Sequence, residues 1–186
     1  FEALEPCSYW DIIKRYHGSK RNAYIRAYES IKENGFQRQW SVINMFVKPD
    51  KYPTQDAATK APRAIQYRRP AFNLMLARYL HPIEEWFYAQ LSPTGFRFVA
   101  KGLNNIDRAI LLRDIAETYD NPVFVLLDHS AFDSSITVDH IKSCHRFYQR
   151  LIKSRTLSKI LRYQLDNKGY SRHGIRYRVK GTRMSG

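Results

Sequence analysis

The sequence predicts an α/β or α+β chain, and three observations predict it. Apolar residues recur at three- and four-residue steps in several segments, as amphipathic helices require. Shorter stretches are rich in β-formers or alternate with a period of two. One uninterrupted apolar run, Val123-Phe124-Val125-Leu126-Leu127, lies between Asn121-Pro122 and a polar turn. At 186 residues the chain is long enough for one sizeable domain. Its 31 Lys and Arg against 17 acids give a formal charge of +14, which points to a polyanion, either nucleic acid or an acidic membrane surface. No apolar run approaches membrane-spanning length and no signal peptide is visible, so nucleic acid is the better match. Cys7 and Cys144 form no disulfide framework; they read as small buried side chains in a reducing compartment. His140, Cys144 and His145 share a predicted helix without zinc-ligand spacing, so no metal is assigned there.

Residues 7–17 and 19–34 read as helices. The second carries Ala23, Ala27 and Ile31 at helical spacing, with Gly35 as its C-cap. The cations of this region, such as Lys14, Arg21 and Arg26, suit either solvated helix faces or the wall of an RNA channel. Residues 41–47 predict a strand, ended by Lys48-Pro49-Asp50. Pro62 favours extended backbone before it, and 63–69 reads as a strand or ribbon. Lys60, Arg63, Arg68 and Arg69 place four cations and no acid within ten residues. Such a ribbon suits a triphosphate, Lys supplying point charge and Arg a bidentate fork. It equally suits an edge strand guarded by cations. Pro70 at an N1 position opens a long helix to about Leu91, with Phe72, Leu76, Leu80, Ile83 and Phe87 on its core side and a kink at Pro82. Residues 96–99 read as a short strand. Asn104 or Asn105 then caps a helix whose apolar stripe includes Ile106, Leu112 and Tyr119.

The run at 123–127 reads as a strand buried on both faces, with Asp128 at its C-terminal end and Asp133 four intervening residues further on. A buried carboxylate needs a partner. Two carboxylates at the mouth of one strand can divide the work on a phosphorylated ligand. One can hold a hard divalent cation through oxygen, and the other can accept a hydrogen bond. The plainer alternative is turn and N-cap chemistry, which uses the same residue types. Ser135 or Thr137 caps a helix to about Lys153, with Ile141, Cys144, Tyr148 and Leu151 facing inward. Residues 157–165 form another helix, Asn167-Lys168-Gly169 reads as its stop, and 174–179 alternates as a strand.

Lys60-Ala-Pro-Arg63, Asp128-x4-Asp133 and Gly181-Thr-Arg-Met-Ser185-Gly186 occur in that order. Together they resemble the fingers and palm of positive-strand RNA virus RNA-dependent RNA polymerases, closest to the tombusvirus-like group of the flavivirus-like supergroup. The resemblance runs from about residue 47 to 186, and 1–46 is placed by position. It implies a right-hand polymerase fold. Residues 1–120 would be a mostly helical fingers region including the basic motif F ribbon, 121–154 a palm segment with motif A, 155–180 a fingers segment, and 181–186 the start of motif B. It implies triphosphate binding by Lys60, Arg63, Arg68 and Arg69, and a catalytic, metal-binding Asp128. Ribose recognition falls to Asp133 and Ser185, with Ser185-Gly186 opening motif B. An acceptor carboxylate at Asp133, where reverse transcriptases carry a bulky aromatic, favours a ribose hydroxyl.

The implied function is template-directed RNA synthesis, a nucleotidyl transfer with two divalent ions, Mg2+ or Mn2+. The implied partners are template and product RNA, nucleoside triphosphates and other viral replication proteins. The implied location is the host cell cytoplasm, at membrane-associated replication complexes. The Gly-Asp-Asp of motif C does not occur in the chain. The start at Phe1 and the end inside motif B read as marks of a piece of a longer polymerase, inactive alone. A non-catalytic RNA-binding module would account for the charge but not for Asp128 together with Asp133. A phosphatase using Asp128 as nucleophile would want an acid where Ser130 stands.

Overall fold

The computed structural model describes residues 3–51, 53–55, 59, 61–97 and 99–184. Helix α1 spans Tyr9–Ile13, shorter than the expected 7–17. It opens on a capping box in which the Ser8 hydroxyl accepts from the Asp11 N–H and the Asp11 carboxylate accepts from the Ser8 N–H, both at 3.1 Å. Helix α2, Gly18–Asn34, ends as its sequence indicates on Gly35, whose φ of +60° lets its N–H close on the Ile31 carbonyl at 2.9 Å. A 3-10 turn, Arg38–Ser41, leads into strand β1, Ile43–Val47, and β2 is Ala64–Tyr67. Helix α3, Pro70–Tyr88, starts with Pro70 in its first turn and runs on through Pro82.

The core lies between α1, α2, α3 and a later helix. Phe72 and Leu74 of α3 are fully buried, and Ile13, Ile31 and Trp40 close around them. Phe36 packs its ring against Trp40 and Phe72. The N-terminal segment is tied down by backbone bonds, Leu4 N–H to the Leu151 carbonyl at 2.9 Å and Cys7 N–H to the Arg78 carbonyl at 3.0 Å. Helices α4 (Asn105–Ala116), α5 (Phe132–Ser135), α6 (Val138–Leu151) and α7 (Arg155–Arg162) follow. Thr137 caps α6 through the His140 N–H, and α6 buries Ile141 and Leu151. Short α7 buries Leu157, Ile160 and Leu161, which complete the core.

Two further strands, β3 (Asp166–Ser171) and β4 (Arg176–Lys180), form an antiparallel hairpin. The sheet order is β2-β1-β3-β4, with β1 antiparallel to β2 and parallel to β3. Strand β3 corrects the reading of Asn167-Lys168-Gly169 as a helix stop. Gly169 is a packing glycine: a Cβ there would collide with Cζ of Tyr177, whose ring crosses the strand at this point. The expected strand at 96–99 is reduced, among the described residues, to a single bridge between Leu91 and Arg97.

The segment 123–127 is the larger correction. It belongs to no strand of the sheet and is exposed, Leu126 at 93% and Leu127 at 90%. A buried strand requires a neighbour that supplies ladder hydrogen bonds and a surface that covers its side chains. None of β1–β4 does either for this run. Helix α4 shares the condition. Its cap forms as expected, Asn104 accepting from the Asp107 N–H at 2.8 Å, yet it buries no residue.

Candidate functional site

Two backbone segments meet beside β2. The loop before α5 turns at Ala131, a non-glycine residue at φ +53°. The segment leaving β4 turns at Gly181 and Thr182, at φ +73° and +60°. These two segments are stitched together. The Thr182 N–H donates to the Ile136 carbonyl at 2.7 Å, and the Arg183 N–H to the Asp133 carbonyl at 2.8 Å. A larger residue at Gly181 would force the surrounding backbone to shift, since a Cβ would lie 2.8 Å from the Ile136 carbonyl oxygen and 3.0 Å from the Val138 nitrogen. Left-handed backbone at non-glycine residues persists only where its surroundings hold it, and it concentrates at functional sites. An open cleft results, lined by Ala64 and Gln66 of β2, by 131–134 including Asp133, and by Thr182 and Arg183.

The expected site residues divide into three groups. Asp133 lies in this cleft, beside the inner face of β2 and the backbone of Arg183. Asp128 lies at the exposed end of the 123–127 run and does not line the cleft. Lys60, Ser185 and Gly186 lie outside the described residues. Arg63 and Arg69 are exposed. The Arg63 guanidinium pairs with Asp50 at 2.7 Å, and Lys48 reaches the same carboxylate at 3.1 Å. The hydrogen bond from Arg63, then that from Lys48, holds the Asp50 carboxyl below its usual range. Asp50 was legible only as a strand terminator; its role is to tie the ends of β1 and β2 together.

Arg68 is a correction. It is 6% exposed, its Nε donates to the Ser41 carbonyl at 3.1 Å, its Nη2 donates to Asn167 Oδ1, and its guanidinium lies 5.1 Å from the Phe72 ring centroid. Burial brings its pKa down to about 10. The reason is strand alternation: Gln66 and Arg68 share the face of the ribbon that looks into the fold. Arg68 is therefore committed to the interior and does not share the exposure of Arg63 and Arg69. Gln66, whose Oε1 accepts from the Tyr177 hydroxyl at 2.7 Å, and Asn167 were both missed. Their signal was the alternation of 64, 66 and 68, and of 167 and 169, which the cations and the glycine obscured.

For a divalent ion, the donor chemistry of Asp128 is suitable. Magnesium prefers hard oxygen and is usually held by one or two carboxylates, water and substrate phosphate, not by an all-protein cage. Among the described residues no group of three or more His, Cys, Asp or Glu converges on one point.

A family model described as viral RNA dependent RNA polymerase matches residues 3–186. The chain belongs to that family. It is 34% identical to the RNA-directed RNA polymerase of Groundnut rosette virus, over 98% of this chain and 22% of the relative. It is 33% identical to that of Oat chlorotic stunt virus, over 97% of the chain and 25% of the relative. It is 34% identical to that of Tomato bushy stunt virus, over 96% and 22% respectively. The chain thus spans a quarter or less of the length of these polymerases. No helix among the described residues is long and apolar enough to cross a membrane.

Proposed function

We propose that this chain is the fingers and part of the palm of a viral RNA-directed RNA polymerase and forms one wall of its nucleotide site. In that right-hand arrangement 1–120 and 155–180 are fingers, 121–154 is palm and 181–186 opens motif B. The observation that carries the reading is the cleft in which Asp133, the inner face of the ribbon strand β2 and Arg183 come together. The ribbon then brings cationic groups, Lys60, Arg63 and Arg69, to the triphosphate. Asp133 accepts a hydrogen bond from the ribose 2′-hydroxyl, and Ser185 shares ribose recognition as the resemblance implies. Magnesium, or manganese, held by Asp128 supplies positive charge to the reacting phosphate oxygens when bound. The activity belongs to a polymerase longer than this chain, with template and product RNA and other replication proteins as partners at membrane-associated sites in the host cytoplasm. The chain alone would bind RNA without polymerising.

The test uses a full-length polymerase carrying this chain. Asp128→Asn keeps the shape and removes a ligand charge, so nucleotide incorporation should be lost while RNA binding remains. Asp133→Ala should narrow the preference for ribo- over 2′-deoxynucleotides by about 10- to 100-fold, the worth of a hydrogen bond to a charged group. Near wild-type incorporation by the first variant, or an unchanged ratio in the second, overturns the assignment.

A further inference from the structure

We propose that Asn167 is a positioning residue for the nucleotide site: through Gly181 it fixes the turn at 181–183, and thereby Asp133, against the basic ribbon. What is positioned rests on the polymerase reading above; the positioning itself rests on geometry. The Asn167 side chain is 1% exposed and lies outside the cleft lining. Three hydrogen bonds of its amide go to three different segments. Oδ1 accepts from the guanidinium of Arg68, the residue following β2. Nδ2 donates to the Gly181 carbonyl at 3.0 Å and to the Gln164 carbonyl at 3.2 Å. An amide is the side chain that offers an acceptor and two donors from one planar group.

The chain of contacts continues from there. Gly181 donates its own N–H to the Leu165 carbonyl at 3.0 Å, so the residue is held from both of its peptide groups. Beyond it, Thr182 and Arg183 donate to Ile136 and Asp133 as described. The left-handed Thr182 has a buried hydroxyl with no hydrogen-bond partner, so its own side chain does not hold the turn. The anchors are the backbone bonds and Asn167. The ribbon and the Asp133 loop are thus joined through one buried amide, and Asn167 itself lies in none of the motifs that carry the family resemblance.

Substitution separates the two halves of the amide. Asn167→Asp keeps the acceptor, and gains charge for Arg68, but turns oxygen lone pairs toward the Gly181 and Gln164 carbonyls. In this chain it should speed hydrogen exchange of the Thr182 and Arg183 amides by about tenfold or more, with the α3 amides unchanged. In the full-length polymerase it should narrow the ribo/deoxy ratio by about three- to tenfold and raise KM for the nucleotide without changing RNA affinity. A residue that only supported the fold would lower the active fraction and leave that ratio alone. Gly181→Ala and Arg68→Lys press on the same turn from its two sides and should move exchange and ratio in the same direction; they carry the test if Asn167→Asp does not fold. Protected Thr182 and Arg183 amides in the folded variants overturn the positioning. Faster exchange with an unchanged ratio, where Asp133→Ala does change it, overturns the link to Asp133. An unchanged ratio in Asp133→Ala itself refutes the polymerase role of Asp133, and the exchange result still decides whether Asn167 holds the turn.

Discussion

Helix α3 and the region 104–135 are both apolar in sequence and opposite in condition. Along α3, apolar residues at three- and four-residue steps become Phe72, Leu76 and Ile83 in the core, between 0% and 9% exposed. Along α4 the same kind of spacing becomes a well-capped helix with Ile106 72% and Leu112 50% exposed, followed by the bare run at 123–127. Periodicity and capping are local properties, and both regions have them. Burial is a property of pairs of surfaces, and only α3 finds its partners in α1, α2 and α7. The difference locates the candidate site at the seam between the two conditions. The packed side supplies β2, with Asn167 and Gly181 behind the turn; the uncovered side supplies Asp133. The uncovered apolar residues at 123–127 are contiguous in the chain and not isolated surface leucines.

The largest effect that would break this comparison is on the packed side. Phe72→Ala removes a ring with no exposure, set against Phe36 and beneath Arg68, and should cost about 3–5 kcal/mol in denaturant unfolding of the chain. Leu126→Ala, at a residue 93% exposed, should stay within about 0.5 kcal/mol in the same experiment. In a full-length polymerase the second change should become a core-sized loss if that surface is covered there. Equal, small effects of Leu126→Ala in both contexts would show that the run is plain exposed loop.

An intermediate effect sharpens the comparison inside the basic ribbon. Arg68→Ala leaves Asn167 Oδ1 and the Ser41 carbonyl without their donor in a buried place, and should cost about 1–3 kcal/mol. Arg63→Ala removes the ion pair of an exposed arginine with Asp50 and should change stability by less than about 1 kcal/mol. In the polymerase the order should reverse for nucleotide use, with Arg63→Ala raising KM for the triphosphate. If both arginines behave alike in both assays, the division of the ribbon into an inner and an outer face fails.

How much of this was legible follows from the same distinction. The caps of α4 and α6, the Gly35 terminus of α2 and the Pro70 start of α3 depend on one or two neighbouring residues, and the sequence carries them openly. Strand β3 was hidden because Gly169 and Asn167 resemble punctuation. Their reason for being there is a ring from β4 and a guanidinium following β2, both distant in sequence. The family motifs were visible as motifs. That Asp133 meets β2 and Arg183 depends on backbone bonds of 181–183, which no residue type announces.

The smallest expected effect concerns the ends of the ribbon, where the packed side gives way to exposed cations. Asp50 is paired with Arg63 and Lys48, and its carboxyl lies below the ordinary aspartate value of 3.8. A group whose folded value is depressed binds its proton less readily in the folded state than in the unfolded chain. The pairing therefore contributes its full stabilisation above the ordinary value and loses it as pH falls through the lowered one. Lys48 also donates its backbone N–H to the Arg63 carbonyl at 2.8 Å, so the strand ends keep one neutral tie when the carboxylate is protonated. Acidification should consequently loosen Arg63 without unpairing β1 from β2. The measurement is a carboxyl NMR titration of Asp50 beside amide exchange at Lys48. The expected result is a midpoint below 3.8 that moves up in Arg63→Ala, with the Lys48 amide protected throughout. An Asp50 midpoint insensitive to Arg63→Ala would mean that the Arg63–Asp50 pair does not hold in solution.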